Sequence, residues 1–396
     1  MKIAVFSELF YPHGGGAELA TWLYSKLLAK KGFEVTIVTR QFPGEASIEF
    51  LSNNMKIIRV PMRIVLGSRY DTLINIGILV SSFIKRLIRE SDVVYIPGGW
   101  YSIIPIAKMY RKLVIIHVHN YSLVCPTSLM YDFINRRVGP SSLKSFMFNE
   151  YVERGRRTLY VIASCFMNEL FGKYYNRLGR IADALIFVSK AQMELFLSRV
   201  PSLRDKSYVI YNPIPDRPLV KARQKGISYL GGRSFVKGFE VLIRALKILK
   251  GNSLEVYLTK SSEKPRKQKM SNGILVNLLP KINPKDLVSL MSKTSITVIP
   301  SLWPEPLPYT LIESMLYGKL IVASHVGGIP EIVSDSLMGV KLVEPGNHVA
   351  IADALDYFLT FELEEINEIG VKNREYILKR LNNEESLNRF VKILLM

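Results

Sequence analysis

The chain has 396 residues, of which 48% are hydrophobic and 22% are charged. These values are typical of a folded globular protein, and the length exceeds the roughly 250–300 residues at which a single hydrophobic core stops growing. Lysine and arginine outnumber aspartate and glutamate by 53 to 34, so the net charge is +19, and residues 1–210 carry the larger share. The composition excludes a disordered chain and predicts two domains and an anionic partner, such as nucleic acid, anionic lipid or a phosphorylated substrate.

Cys125 and Cys165 are the two cysteines of the chain. Their spacing fits neither a metal site nor a disulfide framework, which indicates a reducing compartment. The first apolar run, residues 3–6, is too short for the core of a signal peptide, and the runs 72–84 and 158–171 are shorter than a bilayer-spanning helix. We therefore expect a cytoplasmic location, with a peripheral position at the inner face of the membrane as an alternative.

Short runs rich in Val, Ile and Tyr alternate with helical patterns along the whole chain. We predict strands at 3–6, 34–39, 93–96, 113–118, 184–188 and 208–211, and again at 227–230, 254–258, 274–278, 295–299, 320–324 and 339–343. Such alternation is typical of parallel sheets built from βαβ units. The sequence therefore predicts an α/β protein with two Rossmann-like, doubly wound parallel-sheet domains that face a cleft. In such domains ligands bind beyond the carboxyl ends of the strands.

Residues 212–226 separate the two halves and contain three prolines but no hydrophobic period, which is typical of a linker. We predict an acceptor-binding N-terminal domain at 1–212, a linker at 213–226 and a donor-binding domain at 227–375. The remaining residues, 376–396, are predicted to form a C-terminal helix, which can cross back to the first domain in a hinged two-domain protein.

Three glycines follow the first predicted strand: Gly14, Gly15 and Gly16 open a helix that ends before Gly32. A glycine-rich turn lets a ligand approach the backbone, and a helix N-terminus offers unpaired N–H groups to an anion. The spacing is not GxGxxG and no GK[ST] follows, which disfavours a dinucleotide oxidoreductase and excludes a Walker A loop. The residues alone leave open whether this turn binds phosphate or has only a structural role.

The predicted strand 113–118 runs into the residues HVHN, which place His117 and His119 on one face of the strand. His119 lies nearer the carboxyl end of the strand, where it can donate to or orient a substrate group. We interpret His117 as a hydrogen-bonded structural histidine and His119 as a candidate site residue.

Two cations follow the first strand of the second half. In the stretch SYLGGRSFVKGFEV, Arg233 and Lys237 lie between a pair of glycines and the start of an apolar helix. An arginine fork and a lysine point charge beside a helix N-terminus suit a diphosphate. Either cation alone is more typical of a solvated surface, and the pair favours binding.

Two glutamates eight positions apart, Glu305 and Glu313, flank the prolines of the stretch PEPLPYTLIE. A predicted strand places Glu305 in a loop at its carboxyl end, whereas Glu313 lies on a helix that has Pro308 in its first turn and ends at Gly318. An ionised carboxylate accepts hydrogen bonds from two adjacent hydroxyls, so the pair suits a polyol such as a sugar or ribose. Backbone amides in the region Leu307–Thr310 can meet a phosphate, except at the proline.

The chain resembles the family 4 retaining glycosyltransferases, also called glycosyl transferases group 1, which have the GT-B fold. Five stretches carry the resemblance in order: PHGGGAE, HNYSLVCP, GGR followed by KG, the E-x7-E pair, and VGGIPEIV followed by LVEPGN. They extend over most of the chain. The E-x7-E pair with VGGIPE beyond it is the most specific of them.

The resemblance implies a transferase that moves a sugar from a nucleotide-diphosphate-sugar to an acceptor with retention of anomeric configuration and with no further cofactor. It implies that Arg233 and Lys237 bind the donor diphosphate, Glu305 the donor sugar and Glu313 the ribose, and that His119 lies near the reacting face of the sugar. The implied catalytic set is His119, Glu305, Arg233 and Lys237. The implied donor-binding set is Gly15, Gly16, Arg233, Lys237, Glu305, Leu307, Tyr309, Thr310 and Glu313.

In this family retention is attributed to attack on the face from which the leaving group departs, with the diphosphate taking the acceptor proton, so neither glutamate needs to be a nucleophile. No Asp-x-Asp sequence occurs, and the resemblance implies a metal-independent enzyme in which Arg233, Lys237 and helix N-termini offset the leaving charge. The sequence departs from the family pattern in a shorter Arg233 to Lys237 spacing, in Asn120 for Asp and in Pro308 for Gly.

Residues 127–180 form a long segment that is both basic and apolar. Helices of such composition can lie on an anionic membrane surface, and the alternative is that their apolar faces close the first core. We therefore expect a glycan or a lipid-linked acceptor, used in polysaccharide or glycolipid biosynthesis.

Other functions remain compatible with the residues. The net charge of +19 also fits a polyanion-binding or nucleic-acid-binding protein, although no recognisable binding module is present and specific nucleic-acid binding is not expected. A nucleotide-sugar epimerase or a phosphorylase shares the GT-B architecture. The epimerase would need no acceptor, and the phosphorylase would carry pyridoxal phosphate on a lysine.

Overall fold

The structure is a computed structural model that describes residues 1–63, 75–250, 254–260 and 264–396. These residues form two compact units. The first comprises Met1–Leu129, Leu159–Pro213 and Asn383–Met396, and the second comprises Met130–Thr158 and Ile214–Asn382. The division at Pro213 falls at the start of the predicted linker. Met130–Thr158 belongs to the second unit, although the chain before and after it belongs to the first. The last 14 residues belong to the first unit, although the chain before them belongs to the second.

The strands are β1 (Lys2–Ser7), β2 (Glu34–Arg40), β3 (Ile48–Ser52), β4 (Met55–Val60), β5 (Val93–Gly98), β6 (Leu113–Val118), β7 (Tyr131–Asp132), β8 (Arg137–Val138), β9 (Ala184–Phe187), β10 (Ser207–Val209), β11 (Ile227–Tyr229), β12 (Glu255–Thr259), β13 (Arg266–Lys269), β14 (Leu275–Leu279), β15 (Ile296–Ile299), β16 (Leu320–Ser324) and β17 (Val340–Val343).

The α-helices are α1 (Gly16–Lys30), α2 (Ile76–Leu79), α3 (Ser82–Glu90), α4 (Ile104–Met109), α5 (Leu143–Phe148), α6 (Thr158–Ile181), α7 (Lys190–Leu197), α8 (Phe239–Ile248), α9 (Pro284–Ser292), α10 (Tyr309–Leu316), α11 (Ile329–Ile332), α12 (His348–Leu359), α13 (Leu363–Arg380) and α14 (Asn383–Leu394). Short 3₁₀-helices cover Tyr101–Ile103 and Pro201–Lys206, and a π-helix covers Asn149–Glu153.

The sheet of the first unit has the strand order β10-β9-β6-β5-β1-β2-β4-β3. All neighbouring strands are parallel except the edge pair β3 and β4. The central strands are runs of Val, Ile and Phe that are buried on both faces, as parallel strands covered by helices require. Helix α14 belongs to this unit, and its Phe390 packs in the same core as Tyr24 of α1.

The sheet of the second unit has the order β13-β14-β12-β11-β15-β16-β17, and only the edge pair β13 and β14 is antiparallel. Helices α8 and α12 pack in the core cluster that contains Val256 and Leu258 of β12. Tyr257, which lies between them and points to the other face, packs with Leu290 and Met291 of α9. Helices on both faces make this a doubly wound sheet.

The predicted α/β class with two parallel-dominated, Rossmann-like sheets is confirmed, and each strand predicted from the sequence is present with small shifts at its ends. Strands β3, β4, β7, β8 and β13, which form the antiparallel pairs, were not predicted. The predicted terminal helix is divided, because α13 ends at Arg380 and α14 begins at Asn383. Within the described part of the chain, no helix combines the length and hydropathy needed to cross a bilayer.

Candidate active site

The carboxyl ends of β11 and β15 lie side by side in the second sheet. The chain continues from β11 through β12 and β14 on one side, and from β15 through β16 and β17 on the other. The strand order therefore reverses between β11 and β15, and loops that leave such a point diverge and form a ligand crevice. We call the two loops that follow these strands the β11 loop (residues 230–238) and the β15 loop (residues 300–308).

The β11 loop folds back over the side chain of Tyr229. The hydroxyl of Tyr229 lies 3.0 Å from the carbonyl oxygen of Gly232 and 3.3 Å from that of Lys237. Burial raises the pKa of Tyr229, so the hydroxyl keeps the proton that it donates. A Cβ atom at Gly231 would lie 2.4 Å from the Tyr229 oxygen, so the turn requires glycine at this position.

A second glycine brings the two loops together. Gly238 has a φ of +76°, and a Cβ atom there would lie 1.8 Å from the carbonyl oxygen of Pro300. No other residue type can adopt this backbone conformation at that distance without moving the β15 loop. The glycine after Lys237 thus has a packing role between the loops.

Glu305 of the β15 loop is 3% exposed and is held through one carboxylate oxygen. Its Oε1 accepts hydrogen bonds from Lys237 Nζ at 2.6 Å, Ser301 Oγ at 2.7 Å and Trp303 Nε1 at 2.8 Å. The other oxygen, Oε2, has no hydrogen-bond partner among the described residues. Glu305 therefore offers a fixed acceptor to a ligand hydroxyl.

Lys237 connects the two loops electrostatically. Its ammonium group forms an ion pair with Glu305 at 2.6 Å, and it lies 5.1 Å from the centre of the Trp303 ring, in cation–π range. The side chain of Lys237 is 36% exposed, so the ammonium is also open to solvent. Since an ammonium has three N–H donors, one ion pair leaves donors for an anionic ligand.

The glycines of VGGIPE hold the backbone of Glu305. The N–H of Gly328 donates to the carbonyl oxygen of Glu305 at 2.8 Å. Gly327 has a φ of +53°, and a Cβ atom there would lie 2.0 Å from that same oxygen. This contact gives the physical reason why the motif and Glu305 occur together in the sequence.

Arg233 of the β11 loop is exposed and has no hydrogen bond or ion pair with the described residues. The structure thus places the two predicted cations in one loop but in different environments. Lys237 is already paired, whereas the guanidinium of Arg233 is available to an anion.

Glu313 lies on α10 and forms an ion pair with Arg217. The Oε1 atom of Glu313 is 2.8 Å from Nε and 2.7 Å from Nη2 of Arg217. Burial raises the pKa of Glu313, and the charge of Arg217 opposes the rise. Arg217 was missed by the sequence analysis, because it lies in the predicted linker and its partner is 96 positions away in the sequence.

The start of α10 differs slightly from the prediction. Pro308 is the N-cap residue and precedes the first helical turn, in which Leu311 N–H donates to the Pro308 carbonyl at 3.1 Å. The N–H groups of Leu307 and Thr310 donate to no described residue, while Tyr309 is buried. At the other end Gly318 has a φ of +73°, as predicted for a helix stop.

In the first unit, Gly15 is the N-cap of α1 and Gly16 is its first residue. The carboxylate of Glu18 accepts the N–H of Gly15 at 2.6 Å. The N–H of Gly15 is one of the helix N-terminal donors that the sequence analysis proposed for an anion, and in the structure it is hydrogen-bonded to Glu18. Gly14, with a φ of +93°, makes the turn into the helix.

His117 and His119 stack on each other with ring centres 4.3 Å apart. His117 Nδ1 is 2.7 Å from the hydroxyl of Tyr95, as expected for a structural histidine. Burial lowers the pKa of His119 to about 3, so its ring is neutral at physiological pH. The Nε2 atom of His119 is buried and has no partner among the described residues, which leaves it for a substrate group.

In the part of the chain that the structure describes, no three His, Cys, Asp or Glu side chains are grouped so as to hold a metal ion. The candidate site of the second unit therefore consists of two cations, two carboxylates and backbone amides at the reversal point of its sheet. The His119 ring is a candidate site residue of the first unit.

Two doubly wound sheets are the GT-B architecture, and the family models and solved structures that match this chain show a glycosyltransferase of the GT-B type. Residues 14–217 match the family model Glycosyltransferase Family 4, and residues 213–376 match the model Glycosyl transferases group 1. The first match covers more than half of the chain, so the protein belongs to Glycosyltransferase Family 4. The resemblance inferred from the sequence motifs is confirmed.

Similar proteins extend over nearly the whole chain. A phosphatidylinositol N-acetylglucosaminyltransferase subunit from Arabidopsis thaliana is 21% identical, with 93% of this chain and 77% of that protein covered. Sucrose-phosphate synthase from Thermosynechococcus elongatus has a TM-score of 0.70 at 18% identity, covering 99% of this chain and 98% of that one. HepE from Anabaena, solved with UDP-glucose, has a TM-score of 0.64 at 15% identity, covering 100% and 99%.

Proposed function

We propose that this protein is a retaining, metal-independent glycosyltransferase that moves a sugar from a nucleotide-diphosphate-sugar to a glycan or lipid-linked acceptor at the inner face of the membrane. The observation that carries the proposal is the ion pair of Lys237 and Glu305, 2.6 Å apart, at the reversal point of the second sheet. The solved HepE complex with UDP-glucose and the name of the Arabidopsis relative support a nucleotide-sugar donor and a lipid-linked acceptor.

The two cations of the β11 loop bind the donor diphosphate. Arg233 is exposed and without an ion pair among the described residues, so its planar fork can take two phosphate oxygens. Lys237 retains N–H donors beyond its pair with Glu305 and can contact the same group. Both cations stabilise the negative charge that develops on the nucleotide diphosphate as it leaves. Such electrostatic stabilisation is usually the largest contribution to the rate enhancement.

Glu305 binds hydroxyls of the donor sugar. Three donors hold Oε1 in place, and Oε2 has no partner in the described chain, so a hydroxyl can donate to it without rearrangement. A carboxylate that already shares its charge with a lysine and two further donors is a poor nucleophile. This supports same-face displacement, with the acceptor proton passing to the departing diphosphate, over a covalent glycosyl-enzyme.

Glu313 binds the ribose of the nucleotide. Its burial favours the neutral acid, and the charge of Arg217 together with the hydrogen bond from its Nε favours the carboxylate. A carboxylate is needed to accept both ribose hydroxyls. Arg217 therefore acts through Glu313, as the cation that keeps it ionised. The N–H groups of Leu307 and Thr310 add phosphate donors at the start of α10.

His119 contributes a neutral imidazole. Because burial lowers its pKa to about 3, it can exchange a hydrogen bond with a sugar hydroxyl through Nε2 but does not carry a positive charge at the leaving group. Gly15 and Gly16 provide a backbone that a phosphate can approach closely, since neither has a side chain.

The test of this function is a transfer reaction with product analysis. Purified protein is incubated with UDP-, GDP- and ADP-sugars and with membrane extract or oligosaccharide as the acceptor, and nucleotide release and the anomer of the product are measured. An α-linked donor should give an α-linked product. A β-linked product would overturn retention, and no release from any donor would overturn the transferase assignment. Epimerised donor without acceptor use would favour the epimerase instead.

Part of the proposal concerns the membrane and depends on residues 130–158. Each of the three acidic residues of this segment is hydrogen-bonded within the protein or buried. Asp132 accepts a hydrogen bond from the N–H of Ile134 in a turn, and Glu150 is 3% exposed. Glu153 accepts hydrogen bonds from the β11 loop. Most of its basic residues are exposed, and the segment also carries exposed apolar side chains. The basic set is Arg136, Arg137, Lys144, Arg154 and Arg157, and the apolar set is Ile134, Val138, Leu143, Met147, Tyr151 and Val152.

Such a surface fits an anionic membrane, because the cations attract the headgroups while the apolar side chains enter the interface. We expect the protein to sediment with anionic vesicles and not with neutral ones, and the double variant Arg136→Glu, Arg137→Glu to lose most of this binding. The control is Arg244→Glu, Lys247→Glu, which makes the same charge change on exposed positions of α8. Equal losses in both variants, or equal sedimentation with both vesicle types, would contradict the membrane assignment.

A further inference from the structure

The segment Met130–Thr158 packs with the second unit, although the chain on both sides of it belongs to the first. It contacts the β11 loop, which carries Arg233 and Lys237. The aromatic ring of Phe235 lies 6.0 Å from that of Phe133 and 6.3 Å from that of Phe148. The rings are in the range of favourable aromatic pairs, so the loop is supported by residues far from it in sequence.

Glu153 adds a polar contact at the same point. Its Oε1 accepts the hydroxyl of Ser234 at 2.5 Å, and the N–H of Phe235 lies 2.9 Å from Oε1 and 3.1 Å from Oε2. A carboxylate that accepts a backbone N–H and a hydroxyl together forms charge-assisted hydrogen bonds, which are stronger than neutral ones. Glu153 therefore fixes the backbone at the centre of the loop.

The position of these contacts gives them a consequence for the donor. Ser234 and Phe235 directly follow Arg233, and only Val236 separates them from Lys237. Moving the N–H of Phe235 would reorient the backbone from which both cations extend. The spacing between Arg233 and Lys237 is short, so little chain is available to absorb such a change.

We propose that Glu153 is a positioning residue for donor binding: it holds the β11 loop in the conformation that presents Arg233 and Lys237 to the diphosphate. The inference rests on the proposed function, because it concerns the donor of that reaction. Glu153 itself need not touch the donor. The negative charge of Glu153 would by itself weaken the binding of an anionic donor. If Glu153 increases the affinity for the donor, it must therefore do so by holding the β11 loop in place.

The variants Glu153→Ala and Glu153→Gln test the role. We expect the alanine variant to raise the KM for the nucleotide sugar by about tenfold or more, the range expected for a lost hydrogen bond to a charged group. The glutamine variant keeps one oxygen acceptor and should recover part of the loss. The acceptor KM should stay unchanged in both. Partial unfolding would instead lower kcat and leave both KM values unchanged.

Glu240 provides the matched control. It is an exposed acid in the first turn of α8, just beyond the β11 loop. The variant Glu240→Ala removes the same charge, and we expect it to leave the donor KM unchanged or to lower it slightly. A rise in donor KM in this variant equal to that in Glu153→Ala would show that the effect does not depend on the contact with the β11 loop, and would overturn the positioning role.

Hydrogen exchange separates this inference from the proposed function. In Glu153→Ala, the amide of Phe235 should exchange faster than in the wild type, with or without nucleotide sugar, because its acceptor is gone. A wild type that releases no nucleotide from any donor would end the proposed function. An active wild type with an unchanged donor KM in Glu153→Ala, or an unchanged exchange rate at Phe235, would overturn the inference about Glu153.

Discussion

The side chains of the candidate site have different electrostatic environments. Lys237 and Glu305 neutralise each other across two loops, Arg233 is exposed, and Glu313 is buried beside Arg217. A sugar diphosphate needs cations at one end and hydroxyl acceptors at the other. These environments supply both within the second unit.

His119 leads to a prediction about pH. Its pKa of about 3 lies below the ordinary value of 6.5, because burial disfavours the imidazolium. Its ring should therefore stay neutral between pH 5.5 and 8, and the ratio of kcat/KM between the wild type and His119→Gln should not change with pH over about that range. If kcat/KM of the wild type changed with a pKa near 6.5 and that of His119→Gln did not, the result would contradict this assignment.

The same shift affects stability with a definite sign. Between about pH 6.5 and 3 the unfolded chain binds a proton at this position and the folded chain does not, so the free energy of unfolding falls as the pH is lowered through this range. His117, whose pKa is also lowered by burial, acts in the same direction.

At the scale of the elements, two glycines determine how closely the site loops approach one another. Gly238 brings the β11 loop against Pro300, and Gly327 brings the turn after β16 against the backbone of Glu305. Both have positive φ angles, and both face backbone atoms that cannot rotate away. The glycines are therefore needed for close contact as well as for their conformation.

The variant Gly327→Ala tests this point, and Gly273→Ala is its control. Gly273 has a φ of +88°, but a Cβ atom at this position would have nothing within 4 Å, so the control reports the conformational cost alone. We expect urea unfolding to give a loss of about 1 kcal/mol for Gly273→Ala and about 2–4 kcal/mol for Gly327→Ala, which adds a backbone clash. Equal losses would show that the contact with Glu305 is unimportant for stability.

Much of the fold could be predicted because parallel strands buried on both faces leave an unmistakable run of Val and Ile. The hairpin of β3 and β4 was missed although Asn53 and Asn54 occupy its turn. Alternate residues of β3 are exposed, as on an edge strand, and this weakens the apolar signal. Edge strands are defined by their neighbours rather than by their own composition.

The loop and helix positions of Glu305, Glu313, Arg233 and Lys237 could be predicted, because each residue belongs to a motif that is local in sequence. The contacts of Arg217 and Glu153 were not, because each depends on distant segments packing together. Arg217 meets Glu313 across 96 positions of sequence, and Glu153 meets Phe235 across 82. Nothing in the local pattern of either residue distinguishes it from a solvated surface charge.

At the scale of the whole molecule, each unit contains one doubly wound sheet with its own buried core. Each unit also includes a segment from the other half of the sequence: Met130–Thr158 belongs to the second unit, and Asn383–Met396 belongs to the first. The first of these segments also carries the basic and apolar surface that we assign to the membrane. The residues that we assign to the membrane and the residue that we assign to the support of the β11 loop lie within 29 positions of sequence.

The most direct test of the central claim is nucleotide release from the preferred nucleotide sugar by the wild type and by Lys237→Ala and Glu305→Ala. Lys247→Ala, an exposed lysine of α8, is the control for charge. We predict that both site variants remain folded and lose at least about 100-fold in kcat/KM, the scale of a lost transition-state contact, while the control keeps the wild-type rate. Wild-type rates in Lys237→Ala and Glu305→Ala would contradict the account.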